Sequence, residues 1–321
     1  MRQLHRITAF FLVFLFSGIV HAADYPTKPI KWIVGYPPGG TTDVLARLMA
    51  QSLSEKLGQQ VIVENKPGAG NNIGTEYVIN AAPDGYTMLL VNPANYINAT
   101  LYKNLNFKFT RDIAPVAGLV STPNVMVVSN SVPAKTVAEF LAYCKANPGK
   151  VNMASSGSGT SVHLSGELFK FMTGCNMVHV PYKGAGPALI DLTAGQVQVL
   201  FDNLPSSVPH IKNGRIRALA VTSKSAEPSM PELPTVAATV AGYEATASFG
   251  IGMPRNTPAD VINKMNAAVN QILAEPAMRA RLADLGGVTI AGTPADFGKV
   301  INGETEKWEK VINASGVKLD Q

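Results

Sequence analysis

Apolar residues in this chain follow two alternating rhythms. Unbroken runs at 30–36 (IKWIVGY) and 60–65 (QVIVEN) have the length and β-branched content of buried strands. Between them, Leu45, Leu48, Met49, Leu53 and Leu57 recur every three or four positions. That spacing predicts a helix over 42–57, with Gly58 as its stop. A short helix over 73–81 and a third strand in GYTMLLVNPA (85–94) follow. The valine-rich stretch 113–129 reads as two extended pieces meeting near Thr122 and Pro123.

The alternation then restarts. Helices are predicted over 136–147, 157–172, 184–195 and 208–212, with strands at 150–156, 177–182, 197–204 and 215–223. One more extended piece at 248–254 precedes helices over 258–274, 276–285 and 294–314. Repeated strand–helix units predict parallel sheets with right-handed crossovers. Two rounds of them predict two α/β domains, and the chain crosses between them twice. The first domain is then discontinuous, 24–122 with 250–321, and the second is 123–249. Ligands of such sheets bind at the carboxyl ends of the strands, here in a cleft between the domains.

Two strand-to-helix turns draw attention. Tyr36-Pro37-Pro38-Gly39-Gly40-Thr41-Thr42-Asp43 joins a strand to a helix N-terminus. Its glycines allow close backbone approach, a threonine hydroxyl is placed to cap the helix, and the free N–H groups suit an anion. Ser155-Ser156-Gly157-Ser158-Gly159-Thr160-Ser161 offers hydroxyls and open N–H groups in the second domain. Neither turn carries a cation. Either is also consistent with glycines used for packing alone, but two such turns facing one another are equipped to hold a carboxylate by neutral hydrogen bonds. Neither the P-loop pattern nor G-x-G-x-x-G follows the first strand, so a nucleotide is not expected. A serine hydrolase using Ser155, Ser156, Ser158 or Ser161 is the enzymatic alternative, yet Gly157-Ser158-Gly159 lacks the G-x-S-x-G spacing of a nucleophile elbow. His163 and Glu167 stand four apart on one helix and read as a structural pair rather than a metal site.

Composition narrows the class. Hydrophobic residues make up 46% and charged residues 15%, which fits a globular chain with a sizeable core. Residues 1–22, with Arg2 and Arg6 ahead of a short apolar run and VHAAD, read as a secretory signal peptide. Without them, 25 Lys+Arg stand against 22 Asp+Glu. That mild excess forms no basic tract, so nucleic acid is not expected as a partner. Cys144 and Cys175 are either a disulfide of an exported protein or two small buried residues. Nothing in the sequence calls for a metal or a cofactor.

These segments resemble a known family. YPTKPIKWIVGYPPGGTTDVLAR, VIVENKPGAGNNIGTEYV, PDGYTMLL, SGSGTSVHLSGELF, HVPYKGAGPALIDLTAGQVQVLFDN and IRALAVTS occur in the order found in Bug-type receptors, the extracytoplasmic solute-binding proteins of tripartite tricarboxylate transporters. The resemblance implies a type II periplasmic-binding-protein fold, no enzymatic activity, a periplasmic location and membrane permease subunits as partners. It implies a small carboxylate held by Tyr36, Gly39, Gly40, Thr41 and Asp43 in the first turn. Ser155, Ser156, Gly157, Gly159, Thr160 and Ser161 serve from the second, and Tyr182, Lys183, Gly184, Ala185, Asp202 and Asn203 line the remainder. Phe249 stands where many members carry tryptophan. The absence of an arginine cluster near the turns favours a mono- or dicarboxylate over a trianion. A ligand sensor that signals to a membrane partner without transport has the same sequence features.

Overall fold

The structure is a computed structural model that describes residues 25–318; the signal-peptide reading of 1–22 lies outside them. The chain runs β1 (Ile30–Val34), α1 (Thr41–Leu57), β2 (Val61–Asn65), α2 (Asn72–Ile79), β3 (Thr87–Val91), α3 (Pro93–Leu101), α4 (Phe109–Asp112) and β4 (Ile113–Ser129). It continues through α5 (Val137–Ala146), β5 (Val151–Ser155), α6 (Ser161–Thr173), β6 (Met177–Pro181), α7 (Ala185–Thr193), β7 (Val199–Asn203), α8 (Leu204–Lys212) and β8 (Ile216–Val221). It ends with β9 (Thr246–Pro254), α9 (Ala259–Ala274), α10 (Pro276–Asp284), β10 (Val288–Thr289) and α11 (Pro294–Ser315).

The described strands join in the order β2-β1-β3-β9-β4-β7-β5-β6, with β8 and β10 also pairing β4. β1 lies parallel to β2 and β3, and β5 lies parallel to β6 and β7. The sheet as a whole is mixed, because β4 and β9 run antiparallel to their neighbours. Stretch 113–129 is one long strand rather than two, and it changes partners midway. From Ile113 to Pro123 it pairs with β9; from Asn124 onward it pairs with β7. β4 is therefore the seam between a β1 half and a β5 half.

Each half is buried on both faces, which explains the continuous apolar strands. Ile30, Trp32 and Val34 of β1 enter one core with Leu45, Met49 and Leu53 of α1, while Ile33 enters another with Leu89 and Phe297. In the β5 half, Met126 and Val128 face Phe140, Phe169 and Phe201, and Val125 and Val127 face Leu189 and Leu192. Two helices cross the seam. α3, which the sequence did not predict, follows β3 yet sends Tyr96, Ile97 and Leu101 into the core of the β5 half. α11 places Phe297 and Ile301 in one half and Trp308 and Ile312 in the other.

Cys144 and Cys175 are joined, tying the last turn of α5 to the turn after α6 with a Cα–Cα distance of 5.9 Å. Closing a loop with a sequence separation of 31 is worth about 3–4 kcal/mol on the chain-entropy account. The double substitution Cys144→Ala/Cys175→Ala is expected to lower the unfolding free energy by that amount in a urea titration. An unchanged midpoint and slope would show that the bridge contributes nothing in solution.

Candidate functional site

Because β1, β3, β5, β6 and β7 each run into a helix, five helix N-termini gather at one end of the sheet. A narrow cavity lies among them. Its lining includes Gly40, Thr41 and Thr42 of α1, Asn92, Pro93 and Ala94 of α3, Thr160 and Ser161 of α6, Ala185 of α7 and Asn203 ahead of α8. Tyr36, Ser156 and Phe249 complete it. No charged side chain is among these residues, so its positive potential comes from backbone N–H groups and helix dipoles. α1, α7 and α8 begin without a side-chain cap. A helix start buried without a cap leaves donors for an outside acceptor.

Local chemistry explains how each turn is held. In the first, the Asp43 carboxylate accepts from Gly39 N–H at 3.1 Å, from Arg47 Nε at 3.0 Å and from Asn65 Nδ2 at 3.0 Å. Burial pushes the Asp43 pKa up, but Arg47, Asn65 and the Gly39 N–H outweigh it and hold the group below its ordinary value. Asp43 thus clamps the turn from behind. Gly39 supplies the left-handed φ of 91° that the turn needs. The expected threonine cap is not formed: Gly40 is the N-cap residue, and Thr41 Oγ1 donates instead to Ser206 Oγ at 3.0 Å.

The second turn is held by histidines. Thr160 Oγ1 caps α6 by accepting from His163 N–H and donates to Gly157 O at 2.7 Å. His163 Nδ1 accepts from Gly159 N–H at 3.3 Å, which places its proton on Nε2, 3.9 Å from Glu167 Oε1. Burial, then the electrostatic effect of His179, stacked on it at 4.0 Å, and of Lys170, drive the His163 pKa well below the usual imidazole value. His179 Nε2 lies 2.7 Å from Ser155 Oγ, the geometry of a nucleophile–base pair. Ser155 is completely buried and lines neither chamber of the cleft.

Of the residues named from sequence, Tyr36, Gly40, Thr41, Ser156, Thr160, Ser161, Ala185 and Asn203 meet around the cavity. Gly157, Tyr182 and Lys183 line an outer chamber that shares Tyr36 and Ser156 with it. Gly39, Asp43, Ser155, Gly159, Gly184 and Asp202 line neither. Gly184 instead backs onto Pro37, where a Cβ would lie 2.8 Å from the proline Cδ. Asp202 was expected to line the ligand site, but it is fully buried and accepts from Ser206 Oγ at 2.5 Å and Ser207 Oγ at 2.8 Å. Successive strand residues point to opposite faces, and at this strand end Asn203 takes the cleft side. Thr42 of the first turn and Phe249 also line it, and Asn92, Pro93 and Ala94 complete the lining as residues the sequence reading gave no site role. Asn92-Pro93 after a strand is itself a helix-start signal, N-cap then proline at N1.

Burial raises the Asp202 pKa to about 6, only partly offset by the two serine hydroxyls. Its folded value lies above the unfolded one, so protonation favours the fold and stability falls as pH rises through about 6. The loss accrues between about pH 4 and pH 6 and is on the order of 3 kcal/mol. Asp202→Asn removes this term. The stability difference between variant and wild type in urea titrations should shift toward the variant by about that amount from pH 4 to pH 7. A difference independent of pH would contradict a raised Asp202.

Comparison with known proteins places this architecture. The model of the "Tripartite tricarboxylate transporter family receptor" matches residues 45–317. BugT of Bordetella pertussis is 36% identical over 305 residues, covering 94% of this chain and 93% of that protein. A protein from the tcbD-tcbE intergenic region of Pseudomonas sp. (strain P51) is 37% identical over 290 residues, covering 90% and 86%. Among solved structures, an R. palustris protein with adipate superposes with a TM-score of 0.90 at 37% identity, covering 92% of this chain and 99% of that one. MatC of Rhodopseudomonas palustris with bound malate gives 0.85 at 30%, covering 90% and 100%, and the periplasmic binding protein BugD gives 0.88 at 32%, covering 92% and 99%. With its mixed α/β sheet and its helix starts gathered on one cavity, the chain belongs to the tripartite tricarboxylate transporter receptor family.

Proposed function

We propose that this protein is a periplasmic receptor that captures a small mono- or dicarboxylate by closing its two halves on it, then presents it to membrane permease subunits of a tripartite transporter. The observation that carries this reading is the cavity built from uncapped helix starts with no charged side chain. Such a cage favours one or two carboxylate charges, spread over backbone N–H groups and hydroxyls. A highly charged anion would need cationic partners that the lining lacks. Adipate and malate bound in related structures support a dicarboxylate.

In this reading N–H groups at Thr41, Thr42, Ser161 and Ala185 grip a carboxylate, the hydroxyls of Tyr36 and Ser156 assist, and Phe249 packs on the carbon chain. Asp43 and His163 keep the turns in shape without touching ligand. The closing lobes correspond to 24–122 with 250–321, and to 123–249, and the protein acts by binding rather than catalysis. The buried position of Ser155 supports that choice over hydrolysis.

A thermal-shift screen against mono-, di- and tricarboxylates, with adipate and malate included, tests the proposal. An acid present at a hundred times its Kd should stabilise the protein by about 2.7 kcal/mol and raise Tm by roughly 5 °C. Thr42→Asp places a carboxylate in the cage at a helix start that tolerates an acid. Its ligand-free Tm should stay at or above the wild-type value while the ligand shift disappears. Protein unfolded, dialysed and refolded that responds to no acid would overturn the assignment.

A further inference from the structure

Helix α8 carries its own anomaly. Asn203, at its N-cap position, does not cap it: the Asn203 amide donates to Asn124 Oδ1 at 2.6 Å and to Ser161 Oγ at 3.1 Å. The first-turn N–H of Ser206 is taken instead by Thr41 Oγ1 at 3.2 Å, and Thr41 belongs to α1, in the other half of the molecule. Thr41 Oγ1 in turn donates to Ser206 Oγ, which donates to Asp202 Oδ2. Every polar atom in this chain has its direction set by its end. An ionised carboxylate is an acceptor only, so the Ser206 proton points at Asp202 and a Ser206 lone pair is left for the Thr41 hydroxyl. The Thr41 lone pair is then left for the Ser206 N–H. The chain is sealed from water, with Thr41 3%, Ser206 4% and Asp202 0% exposed.

We propose that Thr41, Ser206 and Asp202 form a latch in which one half of the molecule caps a helix of the other, with Asp202 as the positioning residue that orients the hydroxyls. This rests on the reading of the protein as a receptor that closes. The latch spends the Thr41 hydroxyl on α8 and leaves free the N–H that the proposed function gives to the ligand. It therefore gives the closed form stability of its own, and α8 loses its cap whenever the halves part. Elsewhere across the cleft the Tyr102 hydroxyl donates to Ser158 O at 3.5 Å, a longer and weaker bond than those of the latch. Closure without ligand matters for affinity, since a receptor already partly closed loses less of its binding free energy to the conformational change.

The two cysteines are already bonded to one another, and no free thiol exists among the described residues. Spin labels can therefore be attached at Ile73→Cys and Ile190→Cys, exposed positions on α2 and α7. Distances are then measured in refolded protein without ligand. Wild type should show a short-distance population, and Thr41→Val should reduce the closed-to-open ratio by about tenfold, the effect of losing one helix cap and one buried hydrogen bond. Thr41→Ser, which keeps the hydroxyl, should retain the short distance, whereas a merely structural role for the methyl group would not be rescued this way. Asp202→Asn should behave like Thr41→Val. A wild type with only the long distance, or a Thr41→Val distribution equal to wild type, overturns the latch. Because no ligand is used, a protein that binds no carboxylate but keeps the Thr41→Val effect would sink the receptor assignment and leave the latch standing.

Discussion

A helix start left without a cap holds N–H groups that must find acceptors, and in this molecule that requirement organises everything near the cleft. Parallel strands deliver their following helices to one edge of the sheet, so the uncapped starts of α1 and α7 meet there beside the start of α8, whose Ser206 N–H is already taken by Thr41. The residues around them serve to keep those starts open rather than to add charge. Asp43 would quench the first turn if it faced forward; tied to Arg47 and Asn65 behind the turn, it stiffens the loop instead. His163, held neutral by burial, does the same for the second turn without adding a positive charge that would bias the site toward more highly charged anions.

The seam supplies the complementary property. β4 passes unbroken from one half to the other and exchanges β9 for β7 between Pro123 and Asn124, where the closure proposed above would have to bend it. α3 and α11 limit that movement, because each is packed against the β5 half while rooted in the other. Tyr96 hydroxyl donates to Ser248 O at 2.9 Å, adding a polar tether beside the apolar one.

Much of this was legible in the chain itself. Strands buried on both faces appear as unbroken apolar runs, and the two glycine turns announce themselves by composition. What escaped depends on neighbours distant in sequence. The antiparallel joining of β4 to β9 cannot be inferred from local rhythm, since an apolar run has no direction. Ser155 and Ser156 are adjacent at a strand end, and only the packed structure tells that the first turns to His179 and the second to the cavity. The same holds for Asp202 and Asn203. α3 was missed because Tyr96, Ile97 and Leu101 pack across the seam, so its apolar face has no partner in the adjacent stretch of sequence. The disulfide, left open by spacing alone, was settled by the proximity of α5 to the end of α6.

The discontinuous weave of the sheet also dictates an order of assembly. Strands β5 to β8, with the end of β4 they pair with, lie in one uninterrupted stretch of chain, 124–221, and need nothing from elsewhere to form their ladder. β1, β2 and β3 come earlier, yet β3 keeps one edge without a partner until β9 arrives near the end of the chain. The part made first is thus the part completed last. A chain synthesised from its amino end carries that bare strand edge until β9 follows, open to pairing with another copy. The return of β9 is what covers that edge.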